Sequence, residues 1–273
     1  MFRIPLLLVL LSLLPPFATA VELSGDLVQG GMLVGQVSPG QQVEVMGRPV
    51  RVDEAGRFVF GLGRDAPPEI KLLVRDGQKT ESYRYQVTQR TYEEQRVNGV
   101  PQKTVTPPEE VLERIREEAA MVARARTADE GRLDFLSGFR KPLEGPITGV
   151  YGSRRVYNGT PGRPHYGLDI AAPTGTEVFS PAPGVVKLVH QDMFYSGGTL
   201  IIDHGYGISS TFIHLSKVLV ENGQRIKSGD LIAKVGATGR ATGPHLDWRI
   251  NWFDVRLDPA VIMESFPQLK PLH

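Results

Sequence analysis

The sequence predicts a mainly β protein, built as an N-terminal small β-sandwich, a linking helix and a C-terminal antiparallel β domain. Three observations predict it. Apolar residues alternate with period two from Val21 to about Gln89, and β-like runs return from about Gly138. Thirty glycines and 21 prolines punctuate the 273 residues with turn signals. Only one stretch, near 107–126, carries apolar residues at helical spacings of three and four.

Composition narrows the function classes. Hydrophobic residues make up 41% and charged residues 22%, enough to bury a core, which excludes a disordered tail protein. Thirty-one Lys+Arg against 30 Asp+Glu give a formal charge of +1. That balance excludes a broad basic footprint, so no nucleic-acid partner is expected. The absence of cysteine excludes disulfides, thiolate zinc sites, cysteine nucleophiles and an acylated lipoprotein anchor.

Residues 1–20 read as a signal peptide. Arg3 precedes an apolar run from Ile4 to Phe17, and Ala18-Thr19-Ala20 has the small-x-small form of a cleavage site. The run is shorter than the roughly 20 apolar residues that span a bilayer, and Pro15-Pro16 interrupts it. Export is expected, with a mature chain starting at Val21. Loss of this segment removes one basic residue and no acid, so the mature chain carries no net charge. Contact with an anionic polymer must then be local.

Residues 21–90 read as the β-sandwich module. Val43 and Val45, Val50 and Val52, Phe58 and Phe60, Ile70, Leu72 and Val74, and Tyr83, Tyr85 and Val87 alternate between turns at Asp53-Glu54-Ala55-Gly56 and Asp76-Gly77. The module contains no histidine and reads as a scaffold, spacer or binding module. Residues 91–137 read as a linker holding the amphipathic helix 107–126. Thr106 is the expected N-cap, Pro107 suits the first turn and Glu109 completes a capping box. Leu112, Ile115, Ala119 and Val122 share one face, as in a connecting helix packed on a neighbouring domain. Nothing in these residues marks an arm over an active site. Thr127 to Ser137 reads as linker.

In the C-terminal part, residues 138–265, strands are expected at Val185–Val189, Thr199–Ile202, Ile208–His214, Leu231–Val235 and Leu246–Ile250. Gly205-Tyr206-Gly207, Asn222-Gly223 and Ser228-Gly229-Asp230 mark turns between them.

All six histidines fall in this last part: His165, His190, His204, His214, His245 and His273. His165 and Asp169 are four apart in a segment that Pro164 and Gly167 mark as a loop or irregular strand. If 245–250 is a strand, His245 and Asp247 share one face while Leu246, Trp248 and Ile250 face the core. His214 closes another strand. Together these segments offer two or three imidazoles and two carboxylates to one cleft, which matches a zinc site with three protein ligands and an open position. No Walker A loop, dinucleotide fingerprint, Gly-x-Ser-x-Gly elbow or His-Glu-x-x-His occurs, whereas spacing leaves paired-carboxylate glycosidase chemistry open. His204 is expected to stabilise a turn, and His190 to end a strand at the surface. Arg249 and Asn251, on the face of Asp247, could orient its carboxylate or bind substrate, or simply face solvent.

Tyr151-Gly152-Ser153-Arg154, His165-Tyr166-Gly167-Leu168-Asp169-Ile170-Ala171-Ala172-Pro173, Asp203-His204-Gly205, His214-Leu215-Ser216 and Gly236-Ala237-Thr238-Gly239 through Gly243-Pro244-His245 carry a resemblance. In order and spacing, over roughly residues 140–260, the chain resembles the lysostaphin/LytM-type peptidoglycan metallopeptidases of peptidase family M23. The resemblance implies a grooved antiparallel β domain, one zinc ion per chain, and cleavage of peptide bonds in cell-wall stem or bridge peptides. It implies that His165 and Asp169 are metal ligands and that His214 and His245 are catalytic. It also implies peptidoglycan as partner, a place in the periplasm or cell envelope, and a cell-wall amidase or division proteins as further candidate partners.

One position departs from the family. Its last motif is His-x-His, with the second His as third ligand, and here that position is Asp247. Asp is a competent zinc ligand, so His165, Asp169 and Asp247 form the expected set. Two anionic ligands instead of one should make bound water less acidic and favour harder divalent metals beside zinc. The other four site residues are kept, which ranks an active zinc endopeptidase above a catalytically degenerate LytM-type regulator that binds the wall or activates an amidase.

Overall fold

A computed structural model describes residues 21–100 and 102–268 of the chain. The expected signal peptide and His273 lie outside the described residues. Among the described residues no helix is long and apolar enough to cross a membrane.

The first seven strands are β1 (Leu23–Ser24), β2 (Met32–Gln36), β3 (Gln42–Val45), β4 (Arg48–Val50), β5 (Arg57–Gly61), β6 (Glu69–Asp76) and β7 (Lys79–Gln86). They form two antiparallel sheets, ordered β1-β2-β5 and β4-β3-β6-β7. Val43, Val45, Ile70, Leu72 and Val74 are buried, as their alternation requires. Strand β5 departs from alternation. Val59 is as buried as Phe58 and Phe60. A Cβ on Gly61 would lie 2.6 Å from Leu257 and 3.0 Å from Trp252, so β5 is covered by the C-terminal part as well. One apolar cluster accordingly runs through both parts of the chain.

Then come β8 (Glu94–Val97), the short helix α1 (Gln102–Val105), a 3-10 turn at Glu109–Val111 and α2 (Leu112–Ala125). The expected capping box is not formed. Pro108 is extended, with φ −68° and ψ 157°, and neither it nor Val111 gives a side-chain cap. The tandem prolines explain the delay, because a residue preceding proline is driven out of the helical region. Strand β8 pairs in parallel with β10, an exception to the antiparallel expectation. Thr127 to Ser137 is docked rather than free. Tyr206 donates to the Glu130 carbonyl, Phe135 donates to that of His204, and Asp134 holds Arg225 through both carboxylate oxygens at 2.5 Å.

The remaining strands are β9 (Ile147–Gly149), β10 (Arg154–Tyr157), β11 (Thr160–Pro161), β12 (Leu168–Ala171), β13 (Glu177–Phe179), β14 (Gly184–Met193), β15 (Gly197–Asp203), β16 (Ile208–Leu215), β17 (Lys217–Val218), β18 (Arg225–Ile226), β19 (Leu231–Lys234), β20 (His245–Trp252) and β21 (Val255–Leu257), and α3 (Pro259–Ser265) ends the fold. The main sheet is ordered β18-β14-β15-β16-β20-β12-β9, with β21 on β20, and β13-β19-β17 form a smaller sheet. Its centre presents Leu200, Ile202, Phe212, Leu246, Trp248 and Ile250 to the core. Burying a side chain of this size contributes about 1.5–3 kcal/mol. The opposite face carries Thr211, Asp247 and Arg249 and is enclosed too, because α2 lies across it.

His204 closes the turn between β15 and β16, its N–H donating to the Ile208 carbonyl, and its side chain is fully buried. Its Nδ1 donates to the Pro183 carbonyl, so Nε2 accepts from Ser210 Oγ at 2.9 Å. Ser210 in turn accepts from Trp248 Nε1 at 3.3 Å. His190 does not end its strand; β14 continues to Met193 and leaves the residue half-buried.

Candidate metal centre and active site

Backbone pairing assembles the site. In the register of β12 against β20, Asp169 stands directly opposite Asp247. His165 enters just before β12. Its N–H donates to the Ser153 carbonyl and its own carbonyl accepts from Gly152, so the Tyr151-Gly152-Ser153 motif clamps its backbone. His165, Asp169 and Asp247 are all buried, and one ligand atom from each lies within 4.8 Å of the others. These three form a group that could hold a metal ion.

Two facing carboxylates repel, and cross-strand like charges destabilise a sheet. Two guanidinium groups answer them. Arg155 pairs with Asp169 Oδ2. Arg249 forks onto Asp247, with Nε to Oδ1 at 2.9 Å and Nη2 to Oδ2 at 2.6 Å. Burial alone would raise both carboxyls. The Arg249 guanidinium, then His165, hold the Asp247 carboxyl well below the usual carboxylate range. Asp169 is also lowered, with burial and Asp247 opposed by His165 and Arg155. The fork offsets the extra negative charge that Asp247 brings to the group.

The donor atoms fit a divalent metal. His165 Nε2 and Asp169 Oδ1 are buried, lie 3.1 Å apart and have no hydrogen-bond partner. Unpartnered buried polar atoms are costly unless a ligand completes them. A nitrogen and two carboxylates suit zinc and also harder metals. Two glycines make room. A Cβ on Gly149 would strike Asp169 Oδ2, and one on Gly167 would strike Asp247 Oδ1, which explains the glycine inside the His165–Asp169 motif.

His214 and His245 lie side by side, with ring centroids 4.8 Å apart. Carbonyl oxygens only accept, so His214 Nδ1 donates to Thr238 O and His245 Nδ1 to Gly243 O, each at 2.8 Å. Both Nε2 atoms remain as proton acceptors. Thr238 is itself fixed by Gly198 N and Leu215 O at 2.9 Å, so the Gly236–Gly239 loop orients His214. Burial pushes the His214 imidazole down to about 4, against the pull of Asp247.

Regular alternation would have aimed His214 at the core, beside Phe212. Gly198 pairs with Leu215 and Leu200 with Phe212, so β16 carries one extra residue against β15. At this bulge His214 adopts φ 65°, a left-handed conformation that costs about 1–3 kcal/mol. The bulge turns its side chain to the cavity face. That device had no signal in the sequence pattern. Arg155 was also missed, although its alternate spacing in β10 could have marked it.

Helix α2 walls the cavity. Its apolar stripe of Ile115, Ala119 and Val122 lines the same space of about 1090 Å³ as His165, His214 and Asp247. Glu118 anchors it by accepting from Phe194 N at 2.8 Å, and Arg114 reaches Asp192. These contacts pack the helix on the C-terminal part, and its apolar stripe meets the cavity there.

The family model described as Peptidase family M23 matches residues 163–259. Peptidoglycan DD-endopeptidase ShyB of Vibrio cholerae is 38% identical over 122 residues, 45% of this chain and 26% of that protein. Peptidoglycan DD-endopeptidase ShyA of the same organism is 41% identical over 87 residues, 32% of this chain and 20% of that protein. The chain thus spans about a quarter or less of the length of these curated relatives. A solved Pseudomonas aeruginosa structure assigned to peptidase M23 aligns with a TM-score of 0.69 at 33% identity, covering 89% of this chain and 97% of that one. Motif order, site geometry and these similarities agree that the chain belongs to peptidase family M23.

Proposed function

We propose that the chain is an exported, zinc-dependent endopeptidase that cuts peptide bonds in peptidoglycan stem peptides or cross-links, acting in the periplasm or cell envelope. The observation that carries this reading is the convergence of His165, Asp169 and Asp247 next to two imidazoles whose Nδ1 atoms are held by carbonyls and whose Nε2 atoms make no hydrogen bond among the described residues. The three would hold the metal, which when bound supplies Lewis-acid polarisation and a more acidic water. Nε2 of His214 or His245 takes a proton from the attacking water and returns one to the leaving amine. The imidazolium so formed donates its Nε2–H to the developing oxyanion, while the second Nε2, which carries no proton, orients the attacking water as an acceptor. Arg249 keeps the Asp247 carboxylate ionised and oriented, and Arg155 does the same for Asp169. The peptidoglycan DD-endopeptidase names of ShyA and ShyB support the choice of substrate. In the test, protein beginning at Val21 should release peptide fragments from peptidoglycan, and His214→Ala or His245→Ala should lose this. No amide cleavage with zinc, manganese or cobalt supplied would overturn the reading.

One observation favours a second reading, a catalytically degenerate regulator that binds the wall or activates an amidase. Both carboxylates already have guanidinium partners, so charge balance does not demand a metal. Under this reading His245→Ala behaves as wild type in cells. Cell-wall amidase and division proteins remain the proposed partners in that case.

A further inference from the structure

The cavity beside the metal triad holds more positive charge than its acids can balance. Three acidic residues line it: Glu118, Asp247 and Asp254. Each is already engaged, with Arg114 at 2.7 Å, Arg249 at 2.6 Å and Arg48 at 2.6 Å respectively. Three lining arginines, Arg126, Arg163 and Arg256, make no ion pair among the described residues, and of these Arg163 is exposed whereas Arg126 is buried and Arg256 half-buried.

Arg126 caps the C-terminal end of α2 and is 8% exposed. Its Nη2 donates to Thr211 Oγ1 at 2.9 Å, while its Nε is buried with no partner. Arg256 donates to Asn251 Oδ1 at 3.2 Å. Burial, Arg256 and Arg249 all push the Arg126 guanidinium well below its ordinary range, and burial and Arg249 push Arg256 down to about 10. A guanidinium enclosed without a counter-ion destabilises the fold, and an arriving anion would relieve that cost.

Strand register places these groups. Thr211 pairs with Arg249, and Asn251 with Arg256. Arg249 is two residues from Asp247 along β20, a separation of about 7 Å. That is one to two residues of an extended peptide. We propose that Arg126, Arg256 and Thr211 form a carboxylate-binding subsite, which takes a free carboxylate of the peptide substrate one or two residues from the bond that is cut. The proposal rests on the peptidase reading above. The planar fork of arginine suits a carboxylate, and its carrier is either a peptide C-terminus or an acidic side chain.

The test uses metal-loaded full chain and three synthetic cross-linked tetrapeptide dimers: one with all carboxylates free, one amidated at its C-termini, one amidated at its side chains. Dissociation constants come from calorimetry, and KM and kcat from fragment release. One amidation should weaken binding about 10- to 100-fold, the size of a charge-assisted hydrogen bond, and so name the carboxylate. Arg126→Gln should lose the same factor on the free-acid dimer, and nothing on the dimer lacking that carboxylate. The loss should fall on KM with kcat kept. Arg256→Gln provides a second variant if the first fails to fold. Arg126→Met should have a Tm at or above wild type, since it removes an unpaired buried cation. Equal binding of all three dimers overturns the subsite alone, as does an Arg126→Gln loss that is equal on every dimer. A Tm drop of about 5 °C or more in Arg126→Met would make the residue structural and overturn it as well. Absence of binding and cleavage for all three overturns the subsite together with the peptidase reading.

Discussion

Replacing Asp247 by histidine restores the family's ligand pattern, yet the structure predicts that this change alone does harm. Both Asp247 oxygens are held by Arg249 at 2.9 and 2.6 Å, and the carboxylate is almost fully buried. Removing one partner of a buried ion pair costs about 3–5 kcal/mol. The Arg249 side chain keeps 26% exposure, which lowers the expected cost to about 2–3 kcal/mol. The stranded guanidinium would also repel an incoming dication. Asp247→His should therefore lose about 2 kcal/mol of zinc affinity, near thirtyfold. Adding Arg249→Gln removes the stranded charge and should recover most of it. The assay is zinc competition against a chromophoric chelator, run with urea unfolding of the metal-free proteins, on both single variants and the double variant. A coupling energy of about 1.5 kcal/mol or more is expected. Additivity within about 0.5 kcal/mol would show that Arg249 does not act through Asp247.

Gly167→Ala puts a Cβ against Asp247 Oδ1 and 2.9 Å from the Trp248 carbonyl, so it should cost about 1–3 kcal/mol and lower metal occupancy, read by elemental analysis. Phe212→Ala empties a fully buried core position and should cost about 3–5 kcal/mol in urea unfolding, without touching the ligands. His204 is buried neutral and burial lowers it to about 4, against about 6.5 when unfolded. The unfolded chain then binds more protons between these values, so stability falls as pH drops from about 6.5 to about 4, by about 3 kcal/mol over the whole window. Wild type should lose stability more steeply than His204→Asn between pH 7 and pH 4.5, as read by urea midpoints, and parallel curves would count against the buried neutral imidazole.

The fold class and the grouping of His165, Asp169 and Asp247 were legible because their signals are local. Alternation in Leu246-Asp247-Trp248-Arg249-Ile250 separates the core face from the site face without any knowledge of neighbouring strands. The same alternation misplaces His214, because its bulge depends on the pairing of β15 with β16. Helix α2 was legible as amphipathic, but its stripe could equally have met a core. Only tertiary docking through Glu118 and Arg126 turns it to the cavity. The capping box failed for a local reason, the second proline at Pro108, which outweighed the Thr106 to Glu109 spacing.

The most direct measurement is a digest of defined, cross-linked peptidoglycan by metal-loaded wild type and Asp169→Ala, with metal content by elemental analysis and fragments by mass spectrometry. Wild type should carry about one metal per chain and release fragments from cut amide bonds, while Asp169→Ala should lack both metal and cleavage. Intact substrate with full metal occupancy in wild type, or equal cleavage by Asp169→Ala, would contradict a metallopeptidase built on His165, Asp169 and Asp247.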